Sequence, residues 1–169
     1  MKCKKCGKEV TGNAKFCPNC GAKVFSDQTM SSEQIDLDWL NGIMLRLGYK
    51  RDKGKEGENE VFGTHKTLHN LALSLRKDLG IISFQSFFVM KKAGWGGRAD
   101  QLAAINKANG LGNITTWFFT DNTEIAGAYS FIPLVESLTE GDVIVLIEKF
   151  NKEINNALTN SGISNYLPK

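Results

Sequence analysis

All four cysteines of the chain lie in its first twenty residues, as Cys3-Lys4-Lys5-Cys6-Gly7 and Cys17-Pro18-Asn19-Cys20-Gly21. Two Cys-x-x-Cys-Gly pairs separated by a short spacer supply four thiolates, the tetrahedral set that a structural zinc ion takes. The glycine after each second cysteine tolerates positive φ, so the backbone can fold round a metal and aim amide N–H groups at the sulfurs. Other chemistries fit these cysteines less well. Disulfides need an oxidising compartment, and Met1 to Ser32 has no apolar stretch of the kind a signal peptide carries. A redox Cys-x-x-Cys opens a helix inside a larger domain, whereas this segment is short and polar. A catalytic zinc keeps a position open for water, and four thiolates close it.

The pattern resembles the short zinc ribbons found at the termini of many bacterial proteins, over residues 1–25. Size explains why a metal is needed. Val10, Phe16, Val24 and Phe25 are the only sizeable apolar residues there besides Met1 and the cysteines. Chains below about 40 residues rarely fold unaided. One structural zinc ion supplies roughly 10–16 kcal/mol in comparable peptides.

Charge divides the chain in the same place. Up to Phe25 six lysines stand against Glu9 alone, a side-chain sum of +5, and the remainder carries 15 basic and 17 acidic residues. No apolar run approaches the roughly 18 residues of a membrane span. The chain reads as soluble and cytoplasmic.

Residues 26–32 are polar and unpatterned, which predicts a linker. Ser31 with Gln34 forms a capping-box pattern, after which Ile35, Trp39, Ile43 and Leu47 recur at helical spacing until Gly48. Lys50 to Glu60 reads as a charged loop. Strands are expected at Val61–His65, Asn70–Arg76 and Ile81–Met90, the last two joined through Asp78-Leu79-Gly80. A Gly94-Trp95-Gly96-Gly97 break leads to a helix over Arg98–Asn109. Strands at Ile114–Thr120 and Glu124–Ile132 turn at Asp121-Asn122, and Thr139 caps a final helix carrying Val143, Ile147, Phe150, Ile154 and Leu158.

The order is α-β-β-β-α-β-β-α. Strands in hairpin succession make an antiparallel sheet with helices packed on it, an α+β domain over residues 33–169. That order, the Asn106-Lys107-Ala108-Asn109 end of the middle helix and the aromatic strands behind it resemble the YbjN-like family, over about Ser31 to Leu158. The family has the fold of type III secretion chaperones and is often labelled as regulators of bacterial sensory transduction. The resemblance implies protein binding rather than catalysis, and homodimers that hold extended partner segments. The glycine-rich Trp95 segment and the charged loop before Val61 depart from the family pattern.

The strands add a hint of their own. Ile81–Met90 puts Ile82, Phe84, Phe88 and Met90 on one side and Ile81, Phe87 and Val89 on the other. Ile114–Thr120 sets Trp117 and Phe119 opposite Ile114 and Phe118. A sheet apolar on both faces needs cover on both. Either the helices wrap its edges and account for everything, or a second subunit or a client covers one face. For the second case the candidate protein-binding face is Phe87, Val89, Trp117 and Phe119.

No catalytic constellation emerges. His65 and His69 are four apart but flank an expected turn with no carboxylate nearby, and no serine sits in a Gly-x-Ser-x-Gly elbow. The Trp95 glycine run lacks the Lys-Ser/Thr ending of a phosphate loop. Asparagines such as Asn106 and Asn109 near a helix end usually bond local backbone. Nucleic-acid binding is the rival class. The lysine-rich ribbon attracts phosphate, yet it has no arginine and only Phe16 and Phe25 as stacking surfaces. The expectation is a non-enzymatic cytoplasmic adaptor or chaperone-like regulator that binds a protein partner, self-associates as a homodimer and carries one structural zinc on Cys3, Cys6, Cys17 and Cys20. The alternative is a nucleic-acid-associated regulator of transcription or translation that uses the basic ribbon.

Overall fold

The computed structural model describes residues 2–3, 5–10, 16–22, 29–92, 97–120, 124–135 and 138–168. The expected turn at Asp121-Asn122, most of the Trp95 glycine run, Phe25 and Ser26–Gln28 lie outside the described residues. The element order is β1 (Thr29–Met30), α1 (Leu37–Arg46), β2 (Lys50–Arg51), β3 (Glu60–Thr64), β4 (Leu71–Arg76), β5 (Ile81–Val89), α2 (Gly97–Leu111), β6 (Thr116–Phe119), β7 (Ile125–Pro133), β8 (Leu138–Thr139) and α3 (Glu140–Asn160).

Six strands form one antiparallel sheet in the order β2-β3-β4-β5-β7-β6. The long central strands β5 and β7 pair along their whole length, from Ile81 with Pro133 to Val89 with Ile125. The α+β expectation therefore holds, with two additions. Lys50–Arg51, expected in a loop, pairs with Thr64 and Gly63 as a short edge strand. Thr29 and Met30, expected in the linker, pair with Thr139 and Leu138, so they join the body of the domain.

The first helix begins later than the capping-box pattern predicts. Gln34 Oε1 does accept from the Ser31 amide at 3.1 Å, but this closes a turn ahead of the helix. The cap is Asp36, whose Oδ1 accepts from the Trp39 amide at 2.7 Å. A carboxylate at the positive end of the helix is the better cap, and the later start leaves Ile35 fully buried. The final helix starts as expected, with Thr139 and Asp142 in a reciprocal capping box. Strand β6 is shorter than expected for a specific reason. The amides of Asn113, Ile114 and Thr115 all donate to Glu153 Oε2 on α3, at 3.0–3.1 Å, and so cannot enter the ladder.

All three helices lie on one side of the sheet. Leu40, Ile43 and Met44 of α1, Ile105 and Ala108 of α2, and Val143, Ile147, Phe150 and Ile154 of α3 share one core with Leu71, Leu73, Ile82 and Phe84. Phe84 and Phe150 meet at its centre, with ring centroids 6.2 Å apart. Strand β7 turns only Ala126, Ala128, Ser130 and Ile132 toward this layer, so the helices approach it closely.

Candidate functional site

The cysteine cluster is built from two copies of one turn. In each, the glycine after the second cysteine takes positive φ, 72° at Gly7 and 66° at Gly21. Its amide returns to the carbonyl of the first cysteine, Gly7 to Cys3 at 2.8 Å and Gly21 to Cys17 at 2.9 Å. An L-side chain is strained in that conformation, which is why glycine stands at both places. The turns bring Cys3 Sγ to 3.6 Å from Cys20 Sγ, and Cys6 Sγ to 3.6 Å from Cys17 Sγ. All four sulfurs lie within 4.8 Å of one another.

Sulfurs bound to one zinc ion at about 2.3 Å in a tetrahedron stand roughly 3.8 Å apart, so the cluster has the dimensions of a zinc site. Its electrostatics point the same way. The Lys8 amide holds the Cys6 thiol down to about 6. Cys20 also receives an amide, from Ala22, which lowers it, but burial and the neighbouring thiols push it up to about 12. Four thiols this close cannot all ionise on their own; a divalent cation removes the conflict. Among the described residues of this module Cys3, Val10 and Cys17 are buried, with Cys6, Cys20 and Ala22 against them. So small a core makes the metal its main support.

The second feature is the face of the sheet that the helices leave open. Register assigns its residues: Phe87 pairs with Gly127, Val89 with Ile125, Gln85 with Tyr129 and Ser83 with Phe131, while Phe118 pairs with Gly127 and Thr116 with Tyr129. Phe87 is 41% exposed, Phe131 55% and Val89 62%. Tyr129 and Phe131 sit with ring centroids 6.2 Å apart. Gly127 has no side chain because the Phe118 ring occupies the space where a Cβ would stand. The outward positions of β5, β6 and β7 carry no charged residue.

This corrects the expected face. Phe87 and Val89 belong to it; Trp117 and Phe119 do not. Trp117 pairs with Ala128 and Phe119 with Ala126, the inward residues of β7. Trp117 is 3% exposed, and its ring stacks on Phe88 at 5.2 Å. Phe119 packs against the core, under the Arg98 guanidinium at 3.5 Å. Ile125, Tyr129, Phe131 and Phe118 take their places. The sequence held one signal for this: β7 alternates large residues with Ala126, Ala128 and Ser130, and the small set marks the helix side.

The edges of the sheet are guarded. Strand β6 forms one edge, and Asn109 at the end of α2 covers it. The Trp117 amide donates to Asn109 Oδ1 at 2.6 Å, and Asn109 Nδ2 donates to the Trp117 carbonyl at 3.1 Å. One side-chain amide thus stands in for a neighbouring strand, a device against edge pairing. The opposite edge, β2, is two residues long.

Both histidines are engaged in the β3–β4 connection. His65 Nδ1 accepts from the amides of Thr67 and Leu68 at 3.1 and 3.0 Å, and His69 Nε2 meets Asn155 Oδ1 at 2.9 Å. Among the described residues only the four cysteines gather as metal ligands. No helix there is long and apolar enough to cross a membrane.

Residues 2–24 match the zinc-ribbon domain family. No curated protein matches the chain in sequence. Among solved structures, YbjN from E. coli, a proposed transcription regulator, is similar with a TM-score of 0.61 at 13% identity, over 80% of this chain and 97% of that one. An uncharacterised protein from Methanothermobacter thermautotrophicus gives 0.53 at 8% identity, over 76% and 97%. A chain of the HopA1-SchA chaperone–effector complex gives 0.46 at 12% identity, over 72% and 96%. The chain thus carries an N-terminal zinc ribbon followed by a domain with the fold of YbjN.

Proposed function

We propose that this chain is a non-enzymatic, cytoplasmic protein-binding adaptor, and that it works as a homodimer closed through the open face of its sheet. The observation that carries the reading is that face: apolar, aromatic and free of charge across β5, β6 and β7, on a sheet whose three helices all lie on the other side. Exposed apolar surface of this kind marks an interaction site.

A second copy is the occupant that fits. The three strands that carry no charge meet their own image without like-charge contact, as a two-fold interface requires. The uncharged strands β5, β6 and β7 span about 15 Å, and nine residues of β5 or β7 about 30 Å. That footprint is about half of the roughly 800 Å² per partner of a standard interface, so the contact it makes is a small one. The guarded edges favour face-to-face packing over strand addition. The zinc ribbon is then a separately folded module at residues 1–25, and the YbjN-like fold supports the regulator or chaperone-like character of the whole.

Two copies bearing different tags, expressed together, test this. Each should co-purify the other, and Phe87→Asp in both should abolish the exchange while zinc content stays at one ion per chain. Failure of the wild-type copies to associate would overturn the reading. The lysines of the ribbon support a second reading, a nucleic-acid-associated regulator. It predicts binding to nucleic acid that weakens steeply with salt and disappears when Lys4, Lys5 and Lys8 are neutralised.

A further inference from the structure

The open side of the sheet does not end at β5. It continues over β4, β3 and β2, and these strands hold the area that the uncharged three lack. Strands β3 and β4 widen the face by about 10 Å and bring its footprint nearer to that of a standard interface. Using them brings charge into the contact. The charged residues at outward positions there are Lys50, opposite Thr64, Glu60, opposite Ser74, and Arg76, opposite Ile81.

Most of the charge on this side is already matched within the chain. Arg76 donates twice to Asp78, at 3.2 and 3.0 Å. Lys55, which lies 5.5 Å from the centre of the Phe62 ring, has Asp52 at 3.4 Å. Lys50 and Glu60 have no ion-pair partner among the described residues. Glu60 is held on the face, because its Oε2 accepts from Ser74 Oγ at 2.8 Å. The face thus keeps one unmatched charge of each sign.

Register fixes where they stand. Phe62, Ala72, Gln85, Tyr129 and Thr116 form one row across the sheet. Gln85 is the midpoint of β5 and Tyr129 the midpoint of β7. Glu60 lies two residues to one side of this row, and Lys50, level with Thr64, two residues to the other. Each is therefore about 7 Å from it.

We infer that two copies pack about a two-fold axis that runs across the strands along this row, and that Glu60 of each copy pairs with Lys50 of the other. Rotation about that axis exchanges the two sides of the row and sets each unmatched charge over its opposite. Packed sheets stand about 10 Å apart, a gap that a lysine and a glutamate side chain bridge together. An axis along the strands would instead lay the charged strands of one copy over the uncharged β6 and β7 of the other. Glu60 and Lys50 would then be desolvated without partners, at a cost in affinity. The inference rests on the self-association reading and adds to it the orientation of the two copies.

The test uses the zinc-loaded full chain in analytical ultracentrifugation at low salt. Lys50→Glu leaves two acidic groups at these positions and Glu60→Lys two basic ones. Each variant alone should self-associate at least about tenfold more weakly than the wild type, since like charges now face each other. An equal mixture of the two should associate as the wild type does, and so should the chain carrying both substitutions. This rescue also shows that both variants are folded. If the wild type dimerises but single variants do so equally well, or if their mixture fails to associate, the orientation is wrong and self-association stands. A wild type that stays monomeric overturns both.

Discussion

The ribbon and the sheet domain reach a folded state by opposite means. The ribbon has almost nothing to bury and brings four sulfurs to within 4.8 Å of one another, so a metal ion does the work that a core cannot. The sheet domain has no metal cluster among its described residues and rests on a continuous core from Ile35 to Ile163. A module held by one ion fails all at once when the ion leaves, whereas a packed domain loses stability contact by contact.

The largest expected effect follows from removing the metal. Cys17→Ser, or chelation, should unfold the ribbon completely, since about 10–16 kcal/mol of binding energy is at stake. Thermal unfolding of the sheet domain should not shift. Loss of both modules in one transition would break the comparison. Next is Phe84→Ala at the centre of the core, where Phe84 is 1% exposed. It should cost about 3–5 kcal/mol in denaturant unfolding of the sheet domain, with zinc content unchanged.

Asn109→Ala comes third. It should cost about 1 kcal/mol and expose the β6 edge, raising the aggregation rate at constant zinc occupancy; an unchanged rate would show that Asn109 is no guard. The smallest effect concerns pH. Arg51 donates to Glu56 at 2.6 Å and, with burial opposing, holds its carboxyl below the usual range. A depressed carboxylate contributes stability above its unfolded pKa, and the contribution goes as pH falls through the folded value. Glu56→Gln should therefore slightly flatten the acid limb of the stability curve of the sheet domain, as read by urea unfolding across pH.

The two modules also differed in how far their sequences could be read. In the ribbon every ligand is local: two short motifs name the sulfurs, the turns and the metal together. In the sheet domain the helices and long strands followed from their periodicity, and so did the pairing of Phe87 with Val89 on one side of β5. What periodicity could not supply was the relation between strands. Alternation places Trp117 and Phe119 on a common side of β6, but only the register, Trp117 against Ala128, says which side of the sheet that is.

Long-range bonds were equally out of reach. The shortening of β6 by Glu153, nearly forty residues away, and the short pairing of Thr29 with Thr139 leave no local pattern. Asn109 stood between. Its bonding to backbone was readable from its place near a helix end, but its role at a sheet edge needed the topology.

The central claim is that the uncharged face around Phe87 closes on a second copy, and analytical ultracentrifugation of the zinc-loaded full chain tests it most directly. The wild type should sediment as a dimer. Phe87→Asp should sediment as a monomer with unchanged unfolding temperature and a dissociation constant at least about thirtyfold weaker, the scale of a hot-spot residue. A wild type that stays monomeric at every concentration, or a Phe87→Asp variant that dimerises as well as the wild type, would contradict it.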